Sequence, residues 1–112
     1  MTITDTYPWC ALTMDREAYN NKLNMAQKRL NAARQHMEDC EQTKTRYERQ
    51  WIMMEHLGAP NEDIHKIVDL HAEISEEIKT TFWRIQEEVA LVIKLKKRIA
   101  DIELRLAAGE IK

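Results

Sequence analysis

The sequence predicts an all-α protein, a long antiparallel helical hairpin of coiled-coil type, two copies of which pair into a four-helix bundle. Three observations lead there. Turn-forming residues are scarce, apolar residues recur in a heptad rhythm over most of the chain, and the one dense cluster of helix breakers lies near the middle. Among 112 residues there are two Gly, two Pro and a single Ser, Ser75. So few turn formers leave the chain little chance to reverse direction, and the remainder is the Ala, Leu, Glu, Lys and Arg mixture of long helices.

Residues 1–12 read as an extended leader. Thr2, Thr4, Asp5, Thr6 and Pro8 disfavour a helix, whereas Ile3, Tyr7, Trp9 and Leu12 are too apolar for a purely solvated tail. The leader is therefore expected to pack along a helix or against a second subunit. The helical hairpin occupies residues 13–112. Helix 1 is expected over about residues 14–57, opened by Thr13 or Asp15 as cap with Asp15 and Glu17 near the positive end of the helix dipole. Its apolar positions run Tyr19, Leu23, Ala26, Leu30, Ala33, Met37, Cys40, Lys44, Tyr47, Trp51 and Met54. The steps alternate four and three, which is a heptad seam broken only by Lys44.

Gly58 is the expected left-handed cap after Leu57, and Pro60 prevents the helix from continuing. Asn61 is expected to cap helix 2, with Glu62 and Asp63 in the first turn, so the turn spans 58–61. Helix 2 is expected over about residues 62–108, with Gly109 just past its last seam residue. Its seam reads Ile64, Ile67, His71, Ile74, Ile78, Thr81, Ile85, Glu88, Val92, Leu95, Ile99, Ile102 and Leu106. Phe82 and Val89 are expected to widen the stripe beside the weaker positions Thr81 and Glu88. So short a connection forces the helices antiparallel, and residue i should lie across from about 119 − i. The small residues Ala26, Ala33 and Cys40 then face the larger ones of helix 2, the arrangement that interdigitates.

One hairpin has only one seam, and two stretches exceed it. Residues 82–95 carry Phe82, Trp83, Val89, Ile93 and further apolar side chains, and near the turn Trp51, Ile52, Met53 and Met54 crowd helix 1. Exposed, these would form patches larger than monomers usually tolerate. Phe82, Trp83, Val89 and Ile93 are assigned to self-association, giving a homodimer. Trp51, Ile52, Met53 and Met54 are assigned to an external protein partner, because Met and Trp suit adaptable binding surfaces.

Net charge is only −2, but its distribution is uneven. Lys22, Lys28, Arg29 and Arg34 lie in one stretch without acids, and Lys94, Lys96, Lys97 and Arg98 lie in another. The register brings the two stretches together far from the turn. The turn-side stretch 55–77 is strongly acidic. Opposite ends of two copies could attract and set the orientation of a dimer. The other use of the basic half is to bind nucleic-acid phosphates, although Tyr19 is the only aromatic there for base stacking.

Little points to chemistry. Ser75 has no glycine-rich elbow, no phosphate-cradling loop exists, and Cys10 has no His near it in sequence. Cys40 falls on the seam and reads as a small buried thiol. Glu62 and His65 have ligand spacing, but they flank the seam residue Ile64 and should face outward. His71, in contrast, lies in the seam, opposite Tyr47 and Glu48, where it could act as a pH-sensitive joint. No enzyme activity, metal or cofactor is expected. No apolar run reaches the roughly 20 residues of a membrane span, and no signal peptide is visible, so the expected setting is the cytoplasm. The sequence therefore predicts an interaction protein presenting a rigid helical surface, as an assembly factor, adaptor or inhibitor, with nucleic-acid association as the second reading.

Overall fold

The structure, a computed structural model, describes the backbone of residues 3–111 and the side chains of residues 10–109. Two α-helices make up the fold: α1, Ile3–His56, and α2, Asn61–Ile111. The all-α class and the helical hairpin are as expected. The chain divides into a turn unit, Asn31–Gln86, and a terminal unit, Met1–Leu30 with Glu87–Lys112.

In the turn unit, α1 ends because Gly58 takes a left-handed conformation, φ 69°. That single residue lets the chain double back on the last turn. The Ala59 N–H donates to the Met54 carbonyl at 2.9 Å and the Gly58 N–H to the Glu55 carbonyl at 3.2 Å. These two bonds satisfy carbonyls that a helix end otherwise leaves bare, in the Schellman pattern. α2 then starts from the Pro60 carbonyl, which accepts from the N–H groups of Asp63 at 3.0 Å and Ile64 at 3.2 Å. Pro60 thus takes the capping position expected for Asn61, which is instead the first helical residue. A residue with no N–H loses nothing there, because the capping position needs only its carbonyl.

Both helices bury the seam that the heptad rhythm marks. In the turn unit Ala33, Cys40, Ile67 and Thr81 are buried, while Met37, Lys44, Trp51, Ile64, His71 and Ile78 are half-buried. In the terminal unit the seam is drier, with Ala26, Leu30, Val92, Leu95, Ile99, Ile102 and Leu106 all buried. Each such Leu or Ile contributes about 1.5–3 kcal/mol by leaving water. The cross-helix contacts stay close to the expected antiparallel register, with Arg29 against Glu88 and His71 against Glu48.

Thr81 holds its seam position unaided. It is only 1% exposed, and its hydroxyl donates to the Glu77 carbonyl one turn back at 2.8 Å. Phe82 does not widen the stripe as expected. It stands 47% exposed, one residue past the seam on a helix whose residues rotate by about 100° each.

Both helices outrun their expected ends. α1 begins at Ile3, so the segment read as an extended leader is helical from that residue. The reason lies in the rhythm upstream of Tyr19: Arg16 and Leu12 continue the four-and-three stepping, and both are half-buried. Thr13 and Asp15 are tolerated inside the helix rather than capping it, and Pro8 costs one backbone bond. The expected packing of Ile3, Tyr7 and Trp9 lies outside the described side chains. α2 runs on to Ile111, through Gly109, whose freedom lowers helix propensity without breaking the helix.

Candidate functional site

Exposed apolar side chains gather on the outward face of α1 at its turn end. The seam there uses positions 47, 51 and 54. Arg49, Ile52, Met53 and His56 follow the three-and-four spacing on the opposite side, so they share one face of the helix. Together with Leu57 they line an open groove of about 420 Å³. Ile52 is 67% exposed, Met53 62% and Leu57 77%. Leu57 stands out because the helix stops at Gly58 and nothing follows to cover it. The groove carries Arg49 and His56 rather than the acidic neighbours expected near the turn.

The four residues assigned to a partner therefore separate into two pairs. Ile52 and Met53 are exposed, while Trp51 and Met54 are half-buried on the seam. Trp51 meets the His71 ring edge-on at 5.7 Å and donates its indole N–H to Glu55 at 2.8 Å. Its polar edge is thereby satisfied without a partner. Elsewhere in the turn unit, Phe82 and Trp83 pack edge-to-face at 5.7 Å, with Trp83 65% exposed. In the terminal unit Ile93 is half exposed and Val89 half-buried.

The terminal unit also holds a groove of about 640 Å³ with an apolar floor and cationic walls. Tyr19, Leu91 and Leu95 form the floor, and Lys22, Lys94, Lys97 and Arg98 stand around it with Asp101 at one end. Lys22 and Arg98 both sit against the Tyr19 ring, at 5.2 Å and 5.7 Å, so the aromatic face gathers charge to the groove. Lys28 and Lys96 are exposed nearby in sequence, and Arg34 belongs to the turn unit. Arg29 is engaged: its guanidinium meets Glu88 at 2.8 Å. Glu88 has its other carboxylate oxygen buried without a hydrogen-bond partner.

Two polar seam clusters complete the inventory. His71 Nε2 lies 3.1 Å from the Glu48 carboxylate, which accepts its N–H, and Glu48 is the neighbour the register predicts. Ser75 donates its hydroxyl to the His71 carbonyl at 2.8 Å. The second cluster was not foreseen from sequence, although the four-residue spacing of His36 and Cys40 signals it. One nitrogen of His36, Nε2, lies 3.5 Å from the Cys40 sulfur and 2.8 Å from Glu77. Burial pushes the Cys40 thiol above its ordinary pKa, and the carboxylates of Glu77, Asp39 and Glu41 push the same way. A nucleophilic cysteine needs the opposite shift, and a base oriented by a carboxylate needs its two partners on different ring nitrogens. The cluster therefore has neither feature of a catalytic pair. Among the described residues no set of three or more His, Cys, Asp and Glu side chains is arranged to hold a metal ion, and Glu62 and His65 are exposed. Among those residues, too, no helix is long and apolar enough to cross a membrane.

No protein-family model matches the chain, no curated protein matches it, and no solved structure matches it.

Proposed function

We propose that the chain is a non-enzymatic protein–protein interaction module, a helical hairpin that pairs with a second copy and presents a rigid helical face to another protein as an assembly factor, adaptor or inhibitor. One observation carries the reading: Ile52, Met53 and Leu57 crowd a single outward groove at the turn end of α1, each more than half exposed. A seam-facing helix normally turns charged residues outward, and clustered exposed apolar residues mark interaction sites. Trp83, beside Phe82, serves self-association in this reading, and the homodimer is a four-helix bundle. A second reading, nucleic-acid binding through the cationic groove, is favoured by its four basic walls.

Two charge substitutions read by two assays test the proposal. Trp83→Glu should lower the mass in light scattering from about twice the 13.3 kDa chain toward one chain. Met53→Glu should leave that mass unchanged but abolish capture of a protein from nuclease-treated host lysate. Capture by Met53→Glu at the wild-type yield would refute the turn-end site.

A further inference from the structure

The cationic groove of the terminal unit has a natural counterpart in this chain. On α2 in the turn unit, Glu62, Asp69 and Glu76 recur every seven residues, so they lie along one face, and all three are exposed. Trp83 is the next residue at that spacing, 65% exposed. Beside the stripe stand Leu70, 41% exposed, Glu73 and the exposed Lys66, so four carboxylates outnumber the one ammonium on this face. The stripe is thus acidic with exposed apolar side chains, as the groove is basic with an apolar floor.

Charge availability matches on both sides. Lys94 and Lys97 make no ion pair among the described residues, and neither do Glu62, Asp69 and Glu73. Glu76 is held only by Lys79 at 3.1 Å, an exposed pair that water already screens. Nucleic acid is the poorer occupant. Arg29, on the neighbouring surface, is spent on Glu88, and Asp101 lies in the groove wall with Arg98 at 3.7 Å. A phosphate backbone would meet that carboxylate and would leave Leu91 and Tyr19 without an apolar contact.

We infer that the groove walled by Lys22, Lys94, Lys97 and Arg98 is the docking site for the acidic face of α2, Asp69–Leu70–Glu73 at its centre, of a second copy of this chain. Each copy carries one groove and one acidic face, so a pair of copies holds two grooves and two faces of opposite charge. Complementary charge fixes which surfaces meet, and the apolar side chains between supply contact area. The inference deepens the self-association part of the proposed function and is independent of the turn-end groove.

Charge reversal with rescue in trans tests it. The variants are Lys94→Glu/Lys97→Glu and Asp69→Lys/Glu73→Lys, with Lys94→Gln/Lys97→Gln as a neutral form, all at exposed positions and checked for helicity by circular dichroism. Sedimentation equilibrium of wild type should give the two-chain mass, with dissociation strengthened by raising salt to about 0.5 M, where exposed charges are screened within a few ångströms. Each reversed variant alone should dissociate at least about tenfold more readily, and the neutral form by less, because repulsion is added only by reversal. An equimolar mixture of the two reversed variants should regain the wild-type mass, since each groove then meets a face of opposite sign. The inference is overturned if the mixture stays at one-chain mass, or if the reversed variants remain two-chain. It is also overturned if wild type is one chain and binds a duplex oligonucleotide through Lys94 and Lys97. Loss of the dimer in Trp83→Glu alongside intact dimers in both reversed variants would sink the groove while leaving self-association standing, and partner capture through Met53 is read separately from both.

Discussion

Gly58→Val puts the hairpin corner to a quantitative test. At φ 69° a residue with a Cβ pays about 1–2 kcal/mol, and a β-branched one falls toward the upper end. A Cβ at Gly58 would meet no atom within 4 Å, so no steric clash adds to that strain. Stiffening the unfolded chain offsets about 0.4–1 kcal/mol. The chain could instead abandon the left-handed turn, but it would then lose the bonds from Ala59 to Met54 and from Gly58 to Glu55, each contributing about 0.5–1.5 kcal/mol. Both routes lead to a net loss of about 1 kcal/mol or more. For a domain of this size that lowers Tm by roughly 4 °C or more, read as helix loss by circular dichroism. Gly58→Asn should stay close to wild type, because Asn tolerates the left-handed region. An unchanged Tm in Gly58→Val, or equal losses for Val and Asn, would mean that the left-handed backbone at this residue does not hold the corner.

Two further outcomes follow from the seam. Removing Arg29 leaves the Glu88 carboxylate half-buried without its cation, whereas Glu88→Leu restores an apolar seam and frees a side chain that is already 50% exposed. Arg29→Ala should therefore cost about 1 kcal/mol in urea unfolding, discounted for that exposure, and Glu88→Leu should be neutral or stabilising; the reverse order would refute the assignment. Cys10 is exposed and Cys40 is buried with its thiolate disfavoured by burial and nearby carboxylates. A disulfide reagent at neutral pH should thus titrate one thiol rapidly and the second only on unfolding, and because the Cys40 thiol keeps its proton to higher pH, its lag should persist as pH rises toward the ordinary thiol value. Equal rates at neutral pH would show that the seam does not protect Cys40.

The seam and the corner were legible in the sequence because both depend on local rules. Every heptad position from Tyr19 to Met54 and from Ile64 to Leu106 is buried or half-buried, since a helix repeats its direction every seven residues whatever it packs against. Gly58 adopts the left-handed conformation because no other residue near the break does so without cost. His71 lies beside Glu48 as the antiparallel register requires, about three helical turns out from the corner. The helical start at Ile3 was not legible, because the turn-forming composition of residues 1–12 outweighed the seam spacing that Leu12 and Arg16 continue.

Side-chain direction and pairing across the two helices were decided only by tertiary structure. Phe82 adjoins Thr81 in sequence, but the small hydroxyl residue takes the buried place and the ring faces water. Arg29 reads as one more cation of a basic stretch until Glu88 is seen 2.8 Å away. His36 and Glu77 meet only because antiparallel packing brings residues 41 apart within 2.8 Å. Periodicity sets where along a helix a residue is buried. Which charged and apolar groups remain free for a partner depends on the rotation and offset of the second helix, which no single helix encodes.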